Sequence, residues 1–206
     1  MRSHGEVHVV SRVVGFKKIK FYTNENVGSG ELDLPEQQMH TTSYWLTIPS
    51  PVMGALSYGS DDRRDGVVGL AFAMRHVAQL LLMCDRHDVG VSIDGGSLEP
   101  PSLRKRGASA SQAGVGAAGV GDVRPALASE PNIFIYDNYP GGIGFSRPLF
   151  DMHAALLERT RELITGCPCD SGCPSCVGPE GNTGPHAKQV ASEILDRLVA
   201  SAVVPF

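Results

Sequence analysis

Apolar and polar positions along the chain change period several times, and each change predicts a different element. From Glu6 to Ile48, short runs rich in β-branched and aromatic residues (7–10, 13–22 and 44–48) alternate with turn residues, which predicts an N-terminal antiparallel strand meander. A loop is expected over 24–30, where Asn, Gly and Ser dominate, and Leu32-Asp33-Leu34-Pro35 reads as a strand end closed by proline. Over 66–86 the period lengthens. Val67, Leu70, Ala71, Met74, Val77, Ala78 and Leu81 recur at three- and four-residue intervals, predicting one amphipathic helix with Asp62 and Asp65 as carboxylate N-caps. A strand is expected near 89–93.

Between 97 and 131 the pattern dissolves into Ala, Gly and Ser, a composition that buries too little apolar surface to offset its ordering entropy. A disordered loop is expected there, with Arg104-Lys105-Arg106 as a solvated charge run. Ile133-Phe134-Ile135-Tyr136 then reads as a buried strand, followed by a glycine turn and a helix over 146–165 that carries Pro148 in its first turn and stops at Gly166. After Pro185, Ala187, Val190, Ala191, Ile194, Leu195 and Leu198 form an unbroken core stripe on a last helix. The expected class is α+β in one module: strands and a helix over 1–96, the loop over 97–131, and strand, helix, cysteine loop and helix over 132–206. A chain that opens on a strand with nothing before it reads as a piece of something larger.

Composition narrows the function. The 206 residues, 42% apolar, suffice for a real core without help from a metal. A formal net charge of −4 argues against wrapping nucleic acid by bulk attraction, so DNA binding by the chain alone is expected to be weak. No uninterrupted apolar run approaches the roughly 20 residues of a bilayer span, since Arg75, His76 and Gln79 break the richest one. No membrane partner is expected, and no secretory leader is evident at the N-terminus, so a cytoplasmic location is expected.

Chemistry concentrates at Cys167, Cys169, Cys173 and Cys176, four of the five cysteines within ten residues. The spacing C-x-C-x3-C-x2-C, stiffened by Pro168 and Pro174 and turned by Gly172, suits four thiolates converging on one tetrahedral zinc. A disulfide pair or an iron–sulfur cluster are the other readings. Four thiolates leave no open coordination position, so the site reads as structural, and His153 and His186 nearby are surplus. His76 and Cys84 read as ordinary residues of the first helix. Asp137 with Gly141, Gly142 and Gly144 admits two readings: a phosphate cradle before a helix, or a tight turn whose amides bond to Asp137. The chain contains no Gly-Lys dipeptide, hence no Walker A lysine, and no G-x-S-x-G or H-E-x-x-H motif.

Together Asp137, Gly141-Gly142-Ile143-Gly144, Cys167-Pro168-Cys169, Gly172-Cys173-Pro174-Ser175-Cys176-Val177, Gly181-Asn182 and Lys188 resemble the zinc-binding C-terminal domain of MrfA-type superfamily 2 DNA helicases. Val13-Val14-Gly15-Phe16-Lys17-Lys18, Trp45, His76 and the run 84–90 fit the region that precedes the cysteines there. The chain departs from that family at Gly90-Val91, where a double glycine is usual. The resemblance implies zinc as cofactor and a non-catalytic accessory role in DNA repair or defence. Its partners would be the helicase motor lobes, in cis or in trans, and DNA, weakly by itself. A free-standing interaction module docking on a helicase complex is the alternative, and a nucleotide enzyme using the glycine turn a third. Trp45, Tyr44 and Tyr22 are the expected aromatic anchors of a docking face.

Overall fold

The computed structural model describes residues 1–23, 25–93, 96–97, 129–178 and 183–202. The loop expected over 97–131, with its basic triplet, lies almost wholly outside the described residues, as do Gly181 and Asn182. Among the described residues, seven strands and five helices follow in chain order: β1 Arg2–Ser11, β2 Gly15–Ile19, β3 Asn26–Glu31, β4 Gln37–Thr47, α1 Ser50–Gly54, α2 Ser60–Leu82, β5 Val89–Ile93, β6 Gly96–Ser97, β7 Asn132–Asp137, α3 Ser146–Asp151, α4 His153–Gly166 and α5 Ala187–Ala202.

The expected antiparallel strands and α+β class are present, with a twist in the connectivity. β1 pairs not with its neighbour in sequence but with β4, Arg2 facing Leu46 and Ser11 facing Gln37. The sheet order is β1-β4-β7-β5-β6, and β2 with β3 forms a separate two-stranded ribbon inserted between β1 and β4. The stretch over 24–30 is therefore not simply a loop, because Asn26–Glu31 pairs with β2.

Strand alternation assigns the two faces of the sheet. Tyr44, Leu46, Ile133, Ile135, Val89 and Ile93 point inward and are buried. Trp45 and Phe134 lie opposite each other on the other face, ring centroids 5.7 Å apart. The three aromatic anchors expected on one docking face thus part company: Tyr44 is core, Trp45 is half-buried on the outer face, and Tyr22 is fully exposed in the ribbon.

Helix α2 is the central element, packed against β5, β7, α4 and α5. By length and mean hydropathy it would qualify as a bilayer span, but 56% of that window is buried inside the domain, so its apolarity is that of a core helix. It starts at Ser60, earlier than the pattern suggested, after Gly59 and without a side-chain cap. Asp65 is not a cap; its carboxylate accepts the N–H of Gly184 at 2.9 Å, 119 residues away. The helix expected over 146–165 breaks at Met152. There the chain leaves β1 and β4, on which α3 lies, for α2 and α5, against which α4 packs.

Candidate metal centre

Helix α4 ends at Gly166, and Cys167 turns into extended backbone (φ −76°, ψ 128°), aiming the cysteine loop back toward α5. Gly172 carries φ +145°, and a Cβ there would meet Val177 at 2.7 Å, so only glycine fits this turn. Beyond it the N–H groups of Cys176 and Gly178 both donate to the carbonyl of Cys173 at 3.0 Å, closing a knuckle that carries the second thiol pair.

The four Sγ atoms lie within 4.8 Å of one another. The separations are 3.5 Å for Cys167–Cys169, 3.5 Å for Cys167–Cys173, 3.4 Å for Cys169–Cys176 and 3.6 Å for Cys173–Cys176. A tetrahedron with metal–sulfur bonds near 2.3 Å has edges of about 3.8 Å, so the thiols sit close to the corners one zinc requires. A disulfide needs about 2.05 Å and none is formed, all five cysteines being free. The spacing leaves room for one ion rather than a multi-iron core.

Taken by themselves the thiols differ in acidity. Burial pushes Cys176 up to about 12 and Cys169 upward as well, whereas the backbone N–H of Ser175 brings Cys173 down to about 7. A shared cation removes this difference, since a coordinating thiol is deprotonated outright. Lys188, on the first turn of α5, donates its ammonium to the carbonyl of Cys167 at 2.7 Å and to that of Cys169. It pins the first thiol pair and sets a positive charge beside a group of thiolates. Sequence reading gave Lys188 no role, because the carbonyls it binds are about 20 residues away.

The loop is also seated from below. A Cβ at Gly66 would come within 2.2 Å of Val190 on α5, and one at Gly69 within 3.0 Å of Val177 in the loop. This glycine notch on α2 lets both α5 and the knuckle approach the helix closely. Neither histidine joins the cluster. His153 Nδ1 lies 2.7 Å from the Tyr44 hydroxyl, and His186 Nδ1 lies 3.2 Å from Asp62. His76 bonds to its own helix at the Phe72 carbonyl, and Cys84 stands apart from the four thiols.

The glycine turn takes a definite geometry. Gly141, Gly142 and Gly144 all have positive φ, and the N–H groups of Ile143, Gly144 and Phe145 converge on Asp137 Oδ2 at 2.6, 2.8 and 3.3 Å. The carboxylate, 1% exposed, already holds the position a phosphate would take.

The model of the MrfA Zn-binding domain matches residues 70–177, which include all four clustered cysteines. The chain belongs to the MrfA Zn-binding domain family. As a member it is a zinc-binding domain, and the thiol cluster is the metal site its folded residues offer. It is 33% identical over 195 residues, 95% of its length, to an uncharacterised ATP-dependent helicase, YprA, of Bacillus subtilis, of which it spans 22%. A crystal structure of the helicase MrfA bound to DNA superposes with a TM-score of 0.61 at 32% identity, covering 96% of this chain and 22% of that one. A shorter similarity, 40% identity over 45 residues, links 22% of this MrfA Zn-binding domain to 40% of an uncharacterised protein of Methanocaldococcus jannaschii. The chain thus spans about a fifth of the helicases it matches.

Proposed function

We propose that this chain is a non-catalytic accessory module of an ATP-dependent DNA helicase, supplied in cis or in trans, that assists DNA engagement or holds the motor lobes in their working arrangement. The observation that carries this reading is the near end-to-end overlap, 96% of the chain, with one fifth of a DNA-bound helicase. A setting in DNA repair or defence, in the cytoplasm, goes with it. Cys167, Cys169, Cys173 and Cys176 hold one zinc. With four protein ligands, that ion supplies cross-linking rather than a site for water or substrate. It cross-links the loop between α4 and α5, Lys188 fastens the first thiol pair to α5 from outside the ligand set, and Asp65 fixes the far side of the loop at Gly184. Asp137 and the glycines of its turn are structural in this reading.

The test is complementation. A helicase motor truncated ahead of this domain is expected to lose unwinding and to regain it when the 206-residue chain is added, while the chain alone turns over no ATP. ATP turnover that follows the chain through purification, or a truncated motor that unwinds normally, overturns the reading.

A further inference from the structure

We propose that the β2–β3 ribbon is an arm that holds one strand of DNA, with Lys17, Lys18 and Lys20 meeting phosphates and Phe16, Phe21 and Tyr22 stacking on bases. The proposal deepens the helicase-module reading by naming a DNA-facing surface, and it rests on that reading for its choice of nucleic acid.

Exposure comes first. Of the fourteen large apolar side chains exposed among the described residues, eight lie between 13 and 34. A two-stranded ribbon with an apolar surface ordinarily gains stability by laying one face on a core. This one forms its own sheet, closed at its base by an Arg12–Asp33 ion pair of 2.7 Å. At its tip Phe21 and Tyr22 are 81% and 93% exposed and meet edge to face at 4.8 Å.

The arrangement on one face of the ribbon fits a strand of bases. Phe16 pairs with Gly30 and Lys18 with Gly28, so the partner strand is bare of side chains opposite both. The Phe16 ring lies across Gly30 so closely that a Cβ there would sit 2.6 Å from it. The Lys18 ammonium stands 5.9 Å from the ring centroid. The result is a flat aromatic surface with a cation at its edge, the combination that single-strand binders use without sequence preference.

Charge decides between nucleic acid and protein as the occupant. The chain as a whole carries −4, yet the ribbon and its turn, residues 15–31, hold three lysines against two glutamates, Glu25 and Glu31. Lysine is depleted at protein–protein interfaces, whereas lysines interleaved with rings match a backbone of phosphates with bases between them.

Fluorescence anisotropy of a labelled oligothymidylate with the 206-residue chain at low ionic strength tests the assignment. Binding is expected, with an affinity that falls as salt rises. Phe16→Ala combined with Tyr22→Ala is expected to weaken it by about 30-fold or more. Lys17→Glu, Lys18→Glu and Lys20→Glu together are expected to flatten the log–log salt slope by about 2. Zinc content and thermal midpoint show that the variants are folded, since the ribbon lies outside the core. Absence of binding by the unmodified chain at low salt, or variants that bind as it does, overturns the proposal. So does an outcome in which the variants bind DNA normally but no longer associate with the helicase motor, which would make the ribbon a protein-docking arm. Each of these outcomes leaves the complementation result, and with it the accessory-module reading, standing on its own.

Discussion

The cysteine loop and the β2–β3 ribbon face opposite problems. The loop has almost no regular structure, yet it is held on every side: by Lys188 from α5, by Asp65 through Gly184, by the glycine notch of α2 and by four thiols brought to one point. The ribbon has a regular ladder and a rich supply of apolar side chains, and most of them face outward. Order in the loop comes from convergent polar and metal-binding groups, because a short irregular segment cannot bury enough surface by itself. Order in the ribbon comes from its own backbone ladder and leaves many of its apolar side chains exposed. Regular secondary structure and structural commitment to the core are therefore separate properties in this domain.

The largest expected effect breaks the first half of the comparison. Cys173→Ser removes a ligand from the knuckle, and loss of a structural metal belongs to the few mechanisms that exceed about 4 kcal/mol. The variant is expected to lose zinc in elemental analysis and to exchange amide hydrogens rapidly through the cysteine loop. The β1-β4-β7-β5 ladder, whose core residues come from strands and α2, is expected to stay protected. A variant that keeps one zinc per chain removes Cys173 from the ligand set.

A smaller effect probes the notch. Gly66→Ala gains helix propensity but drives a methyl into Val190, whose Cβ would lie 2.6 Å from it. Overpacking of this kind costs about 1–3 kcal/mol, so a lower thermal midpoint is expected. Val190→Ala in the same chain removes the Cγ1 that would lie at 2.2 Å but keeps the Cβ, so relief is partial, and the pair is expected to lose less than the sum of the two single changes.

What the sequence revealed and what it hid follow the same division. The β5 strand, the α5 stripe and the four cysteines were legible because each is written in a local period or spacing. The β3 strand was hidden because Gly28, Ser29 and Gly30 read as a loop; they pair with β2, and the Phe16 ring fills the space opposite Gly30, which only the pairing reveals. Alternation alone tells that Tyr44 and Trp45 point opposite ways, but which is inside depends on the register with β1 and β7. Asp65 looks like a cap because caps are local, and its partner Gly184 is not. The thiol positions were readable, while Lys188, quoted only within the resemblance, had no contact assigned to it until the fold brought it to the Cys167 and Cys169 carbonyls.

His153 offers a pH test that separates the packed region from the ribbon. Burial lowers its pKa from 6.5 to about 4, with the charge of Arg2 as a second cause. Between those values the unfolded chain holds a proton on His153 that the folded chain does not. Its contribution to stability is therefore fully present above pH 6.5 and is lost as pH falls toward 4. His153 is only half-buried, so the effect is smaller than that of the notch. Thiolates also take up protons in acid, so the readout is a difference: the thermal midpoint of His153→Gln is expected to fall less steeply than that of the unmodified chain across this window. Substitutions in the ribbon are expected to leave the profile unchanged.

The smallest effect lies at the ribbon tip, and its sign is the informative part. Tyr22 has φ +75°, a left-handed conformation that costs a residue with a Cβ but suits glycine. Its ring is 93% exposed and meets Phe21 edge to face, so little packing is lost when it is removed. Tyr22→Gly is therefore expected to leave stability unchanged or raise it by up to about 1 kcal/mol, the reverse of the penalty for placing a side chain at positive φ. Differential scanning calorimetry reads this directly, and a clear drop in midpoint would mean that the tip is packed against the domain. If the same variant also binds oligothymidylate more weakly, a bulky ring is being kept in an unfavourable backbone position for the sake of a partner rather than for the fold.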